Sequence, residues 1–156
     1  MSIIGYAAWA FAAGALIPLM AILNAGLARA SGGIVQATVL LFAIGLISSL
    51  VLAALLTVRV PSLSTLMAVA PRQYAGGLIV AFYVLSITFL APRFGVGNAI
   101  LLAVMAQLIT AAVFDHFALA GATLRPLTIL RGVGLGIVVL GVVITQAGDR
   151  LLASFR

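Results

Sequence analysis

The chain has 156 residues, of which 65% are hydrophobic and 6% are charged, and its formal net charge is +6. A soluble domain of this length needs many more charged side chains to cover its surface, so the composition excludes a soluble protein and indicates an integral membrane protein. The positive charge does not indicate nucleic-acid binding, because the chain has no Lys and its Arg residues are spread singly between apolar runs.

Five apolar runs predict five transmembrane helices. The predicted helices cover residues 3–28, 34–58, 74–91, 94–117 and 129–148. Only a helix or a closed barrel satisfies the backbone in lipid, and the alternating pattern of barrel strands is absent. A cleaved signal peptide is the alternative for the first run, but that run lacks a positively charged start and is longer than a signal-peptide core. We therefore predict one all-α transmembrane domain over residues 1–156.

The first helix contains a predicted kink. Pro18 has no N–H, so the carbonyl of Gly14 loses its partner inside the helix and needs a neighbouring helix, a water or a ligand. Asn24 lies between this kink and the end of the helix. Two interpretations stay open: a structural kink with Asn24 bonded to another helix, or a polar spot beside a central cavity.

Two further polar side chains fall near mid-membrane. Tyr83 in the third helix must bond to a neighbour or face a cavity, because an unpaired hydroxyl is costly in lipid. Gln107 in the fourth helix has Ala103 and Ala111 one turn away on either side, which leaves room for a partner backbone or a bound molecule. Interhelical hydrogen bonding is the alternative role for Gln107.

An acid at the end of the fourth helix is followed along the chain by two arginines. Asp115, at the end of the fourth helix, is predicted to pair with Arg125 or Arg131, as a structural ion pair or as a gate. His116 lies beside it, but one His next to one Asp is weak evidence for a proton relay. The sequence has no metal-ligand spacing, catalytic triad, phosphate-binding loop or Cys, so neither an enzyme nor a cofactor is predicted.

The last helix is rich in glycine. Gly132 and Gly136 form a GxxxG pattern, and Gly141 follows further along. Such small residues allow helices to approach closely, so this helix is predicted to pack tightly within or between protomers.

No charged residue falls at mid-membrane in any of the five predicted helices. This absence argues against exchange of a proton for a cationic drug. It favours a neutral substrate, or one held by amides, hydroxyls, aromatic rings and carbonyls.

An odd number of spans puts the two termini on opposite sides of the membrane, here called side A (the N-terminal side) and side B. Side A then carries Arg59, Arg72, Arg125 and Arg131. Side B carries Arg29, Arg93, Arg150 and Arg156. Orientation follows the Lys/Arg bias of short loops, so an even split favours dual topology and an antiparallel dimer. A single orientation decided by features of the first helix is the alternative.

A set of motif residues spread along the chain forms a recognisable pattern: Gly14, Pro18, Asn24, Leu27, Gly76-Gly77, Ala106-Gln107-Leu108, Asp115-His116-Phe117, Gly121, Leu124-Arg125-Pro126-Leu127, Arg131 and Gly132. In these residues the chain resembles the YdcZ-like family of the drug/metabolite transporter superfamily. The chain departs from the family pattern at Pro71-Arg72-Gln73-Tyr74, where Pro-Trp often precedes the double glycine, and at Ala106, where Gly is usual. The resemblance implies a five-helix unit equivalent to half of a ten-helix inverted-repeat transporter.

The sequence therefore predicts a small-molecule transporter subunit of the bacterial inner membrane that works by alternating access as an antiparallel homodimer. Its predicted substrate contacts are Gln107, Asn24 and Tyr83. Its predicted partners are the lipid bilayer, an unidentified small molecule and a second copy of itself, without nucleic acid. A non-transporting accessory or scaffold protein is the alternative, and one half of a heteromeric transporter is another.

Overall fold

The computed structural model describes residues 2–59 and 61–154. The helices are α1 (Ile3–Ala15), α2 (Ile17–Ser31), α3 (Ile34–Leu55), α4 (Leu63–Ala68), α5 (Pro71–Phe94), α6 (Val96–Phe117) and α7 (Ile129–Ser154), with a 3₁₀ turn at Leu119–Gly121. Five segments are long and apolar enough to cross a membrane: α1 with α2, then α3, α5, α6 and the Ile129–Gly148 part of α7. The predicted all-helical fold with five membrane-spanning segments is confirmed.

Several helix ends differ from the predicted ones. Helix α5 runs from Pro71 through Pro92 to Phe94, longer at both ends than residues 74–91. Pro71 is tolerated because the first turn of a helix does not use its N–H groups. Helix α3 ends at Leu55 instead of residue 58, because Thr57 has a left-handed backbone (φ 54°) and the N–H of Val58 donates to the carbonyl of Ala53. This closing turn usually contains glycine, so a threonine gave no signal in the sequence.

The first span is interrupted at Leu16, between Gly14 and Pro18. The Leu16 N–H donates to the Ala13 carbonyl over 3.3 Å, and Pro18 lies in the first turn of α2. Backbone N–H groups at the end of α1 donate to the carbonyls of both Ala13 and Gly14. The expectation that Gly14 offers an unpartnered carbonyl is therefore wrong: the chain tightens into a shorter-range hydrogen bond and satisfies that carbonyl itself.

The chain divides into two compact units, Met1–Val96 and Gly97–Arg156. In the first unit, α2 packs against α3 and α5, and α3 packs against α5. Small buried side chains allow these helices to approach closely; they are Ala21, Ala25, Ala37 and Ala91. Three polar residues are buried in the same unit: Asn24, Thr38 and Thr88.

The short helix α4 is capped by Ser62, and its Leu66 carbonyl accepts a hydrogen bond of 2.6 Å from the Tyr74 hydroxyl of α5.

In the second unit, α6 and α7 are joined by polar contacts near both ends. Gln146 Nε2 of α7 donates to the carbonyl of Asn98 over 3.4 Å. At the other end, Arg131 of α7 contacts Asp115 of α6. Between these two contacts the facing residues are apolar and include the buried Val142.

Candidate arginine groove and loop clasp

An open groove of about 400 Å³ lies in the first unit where α2 ends, α3 begins and α5 ends. We call it the arginine groove, and its lining residues are Ala25, Ala28, Arg29, Gly33, Ile34, Thr88, Pro92 and Arg93. The small residues of α2 leave the space open, while Gly32, with φ of 90°, turns the chain sharply from α2 into α3. The three helix ends therefore bring both arginines to one groove.

The two arginines of the groove have no carboxylate partner in their unit. Arg93 Nη1 donates to the Phe89 carbonyl over 2.8 Å, and its Cζ lies 3.9 Å from the centre of the Phe89 ring, so the guanidinium is held in place. No described residue forms a hydrogen bond or ion pair with the Arg29 side chain. The sequence contains no Asp or Glu before Asp115, so nothing in the first unit neutralises this pair of charges.

A buried hydroxyl also lines the groove. Thr88 is only 2% exposed, and its hydroxyl has no hydrogen-bond partner among the residues that the structure describes. In residues 2–59 and 61–148, only Ser31 Oγ is a fully enclosed side-chain polar atom without a hydrogen-bond partner. The Thr88 hydroxyl also lacks a partner but is not fully enclosed, so it keeps some accessible surface. Gly33 caps α3 without a side chain, which leaves the first N–H groups of α3 uncapped by any side chain.

The predicted contacts Asn24 and Tyr83 both lie in the first unit, but neither lines the groove. Asn24 is 4% exposed, and its amide has no hydrogen-bond partner in the described part of the chain. Tyr83 is half-buried on α5, and its hydroxyl also lacks a described partner. The interpretation of Asn24 as a hydrogen bond between helices thus finds no partner within the described residues. A role in binding stays a prediction for both.

Gln107 lies in the second unit on an exposed part of α6. Its amide forms no hydrogen bond with any residue in 2–59 or 61–154. An amide in the middle of a membrane span requires a polar partner, so the partner must come from outside these contacts, as a second chain, a water or a ligand. The structure leaves both predicted roles of Gln107 open.

The loop between α6 and α7 is held by a set of contacts that we call the loop clasp, formed by Asp115, His116, Arg125, Leu127 and Arg131. Arg131 Nη2 lies 2.7 Å from Asp115 Oδ2. The backbone N–H of Arg125 donates to the Asp115 carbonyl over 2.8 Å, and Arg131 Nη1 donates to the Arg125 carbonyl over 3.4 Å. Of the two arginines named from sequence, Arg131 forms the ion pair and Arg125 contributes its backbone.

His116 makes a further contact across the same loop. Its Nδ1 accepts a hydrogen bond of 2.9 Å from the Leu127 N–H. Ala118 and Ala120 have positive φ values of 49° and 54°, a backbone conformation that costs about 1–2 kcal/mol for each L-residue. The clasp therefore holds a loop that would relax without it.

The glycines of α7 have open space beside them within the described part of the chain. A side chain placed at Gly132, Gly136 or Gly141 would meet no described atom within 4 Å. Packing among the described residues therefore does not require glycine at these positions. Their role in packing between protomers stays a prediction.

No group of three His, Asp or Glu side chains within the described ranges could hold a metal ion.

Comparison of the sequence with known protein families identifies the family of this chain. The family model described as "Putative inner membrane exporter, YdcZ" matches residues 5–144. The chain belongs to the YdcZ family. Together with the five apolar spans, this makes it a multi-pass protein of the inner membrane, and the family indicates a transporter. No curated protein and no solved structure matches the chain.

All five residues of the loop clasp are among the residues that carry the YdcZ resemblance in the sequence. The motif positions Asp115, His116, Arg125 and Arg131 are the ones that make the clasp contacts, and Leu127 supplies the N–H for His116. Gly121, another motif position, has φ of 86° in the 3₁₀ turn. This part of the motif thus encodes a loop structure, and a substrate contact is not needed to explain it.

Sequence reasoning missed the arginine groove of this YdcZ chain. The sequence gives no signal for Thr88, because the hydroxyl of a single threonine in an apolar helix usually donates to a carbonyl of its own helix. The Thr38 hydroxyl does so, to the Ile34 carbonyl over 2.8 Å. For Arg29 and Arg93, the sequence predicts only that both charges lie on side B. Their common side, combined with the absence of acids before Asp115, was the one signal that could have indicated a shared site.

Proposed function

We propose that the chain is a small-molecule transporter subunit that works by alternating access as an antiparallel, dual-topology homodimer in the bacterial inner membrane. The observation that carries the transport part is the first span, which is interrupted at Leu16 and then buries an unpartnered Asn24 in α2. Broken helices with nearby polar groups are typical of binding sites in secondary transporters. Membership of the YdcZ family supports the same conclusion.

The antiparallel pairing is supported by charge and span number. Five spans place the termini on opposite sides, and the eight arginines divide equally between the two sides. A chain without a Lys/Arg bias inserts in both orientations, and two opposite copies form an inverted pair of the kind from which many transporters are built. In that pair, Gln107, Asn24 and Tyr83 are the proposed substrate contacts. Asp115 with Arg131 would hold or gate one entrance.

Labelling of single cysteines tests the dual topology. Because the chain is free of Cys, Ser2→Cys and Ser154→Cys each introduce one reactive thiol without changing the charge balance. Intact cells are treated with a membrane-impermeant maleimide, and lysed cells give the total. Dual topology predicts that each terminus is labelled from outside in part of the population. If one terminus is always labelled and the other never, the homodimer is excluded in this form and a heteromeric partner becomes the better model.

The variant Gln107→Leu separates the transporter from the scaffold alternative. Leucine removes the amide but keeps an apolar side chain of similar length. If Gln107 is a site residue, the variant keeps the wild-type dimer fraction, measured by cross-linking in membranes, but loses ligand binding or flux. If the dimer dissociates, Gln107 bonds the protomers together, and a scaffold protein whose polar residues only join helices is favoured.

A further inference from the structure

We infer that the arginine groove binds a phosphate group, supplied either by a lipid headgroup or by a phosphate-bearing solute. The inference does not depend on transport, since it rests on the charges and donors of the first unit alone. Arg29 and Arg93 line one groove, and residues 1–96 contain no acid to neutralise them. Two positive charges without a counter-ion in residues 1–96 favour an anion from outside this unit.

The donors of the groove approach from three helices. Arg29 comes from the last turn of α2, Arg93 from the last turn of α5, and the uncapped first N–H groups from the start of α3. Guanidinium groups bind phosphate oxygens in pairs, and helix N-termini attract anions. The buried Thr88 hydroxyl adds a fourth donor of fixed position. A tetrahedral phosphate can accept from several directions at once, whereas a planar carboxylate presents only two oxygens.

The position of Arg93 supports a preformed site. Its contact with the Phe89 ring and carbonyl uses one terminal nitrogen, and a guanidinium has five N–H donors. The remaining donors are available without a change of side-chain conformation.

Two features oppose an anion. Pro92 cannot donate to the Thr88 carbonyl, and the Gln36 side-chain carbonyl lies close to Gly33 at the start of α3, so both oxygens place a partial negative charge near the groove. Two full positive charges outweigh these two dipoles.

Calorimetric titration of the purified full chain tests this site. The protein is kept in dodecyl maltoside, a non-ionic detergent, in phosphate-free buffer. The solute probe is inorganic phosphate, and the lipid probe is short-chain phosphatidylglycerol, with a diacylglycerol of the same chains as the phosphate-free control. Binding of inorganic phosphate at an affinity close to that of the lipid assigns the site to solutes. Binding of phosphatidylglycerol alone assigns it to a headgroup.

A matched pair of double variants locates the binding. Arg29→Gln with Arg93→Gln should weaken binding of the phosphate probe by at least about tenfold, since both guanidinium forks are lost. Arg59→Gln with Arg72→Gln removes the same charge from the same unit outside the groove, and should change affinity by less than about twofold. Equal losses in the two variants, or equal binding of diacylglycerol and phosphatidylglycerol, would overturn the inference. Failure of both phosphate probes to bind would also overturn it.

A third variant keeps the test decisive if the groove double variant does not fold. Thr88→Val removes only the hydroxyl and should weaken phosphate binding by about threefold, as expected for the loss of one neutral hydrogen bond. Thr38→Val is the control, because the Thr38 hydroxyl is bonded to its own helix and lines no groove. Unchanged affinity in Thr88→Val, or an equal loss in Thr38→Val, would contradict the inference.

Discussion

The two units of this YdcZ protein use arginine in opposite ways. In the loop clasp, Arg131 lies 2.7 Å from the Asp115 carboxylate, and its charge is balanced inside the chain. In the arginine groove, Arg29 and Arg93 line the same space, and their unit contains no acid. A chain with only two acids cannot pair most of its eight arginines. The comparison indicates that a paired arginine stabilises a loop, whereas unpaired arginines in a groove are available to a ligand.

Charge reversal in the clasp should have the largest effect on stability. Arg131→Glu places two carboxylates together, and both side chains are about one-third exposed (36% and 31%). The cost lies between those of surface and buried pairs, about 2 kcal/mol in the free energy of unfolding. Thermal unfolding in detergent measures it as a lower midpoint.

The charge-swapped double variant is the control for that prediction. Asp115→Arg with Arg131→Glu restores opposite charges and should recover most of the lost stability. If the double variant is as unstable as the sum of the single variants, the two side chains do not interact energetically.

Loss of the His116 acceptor should loosen the loop by a smaller amount. His116→Phe keeps an aromatic ring but leaves the Leu127 N–H without its partner, at a cost of about 1 kcal/mol. Backbone amides of residues 118–128 should then exchange with deuterium faster than in the wild type. His116→Asn is the matched control, because its Oδ1 stands where Nδ1 stood and can still accept. Equal exchange in the two variants would show that the ring nitrogen does not hold the loop.

In the groove, removal of a polar group should stabilise the empty protein. Thr88→Val eliminates a buried hydroxyl without a described partner, and should raise the free energy of unfolding by about 0.5–1 kcal/mol in phosphate-free buffer. Thr38→Val should change it by less than about 0.5 kcal/mol, because the Thr38 hydroxyl is bonded to a carbonyl that its own helix already uses. Melting temperatures of the two variants in the same detergent make the comparison. Destabilisation by Thr88→Val would mean that the hydroxyl has a structural partner.

The smallest effect is expected for Arg29. Arg29→Gln removes a side chain without a described hydrogen bond or ion pair, so the melting temperature without phosphate should correspond to a change of less than about 0.5 kcal/mol. A large loss of stability would show that Arg29 is a structural residue like Arg131. The difference between the two sites would then disappear.

The membrane spans could be predicted from sequence because hydropathy and length determine them directly. The pairing of Asp115 with a following arginine could also be anticipated, since few other charges are available. The choice of Arg131 over Arg125 could not, because it depends on how the loop folds back through the left-handed residues Ala118 and Ala120. Alanine gives no sequence signal for that conformation.

The groove could not be predicted because it needs three helix ends to meet. Arg29 and Arg93 are far apart in sequence, and periodicity does not show which helices pack together. The Gly14 carbonyl shows that local backbone adjustment is also hard to predict. Pro18 has no N–H to donate to this carbonyl, but the backbone at the end of α1 changes its hydrogen bonding and satisfies the carbonyl. A rule about ideal helices does not reveal such an adjustment.

The most direct test of the proposed transporter is whether oppositely oriented copies pair. Ser64→Lys with Thr123→Lys adds charge to side A, and Ala30→Lys with Gly97→Lys adds it to side B, all at exposed positions. Added lysines fix orientation by keeping their side in the cytoplasm. Differently tagged copies are co-expressed and purified through one tag. An antiparallel dimer predicts co-purification of side-A with side-B variants and little of like with like; equal co-purification of like pairs would contradict it.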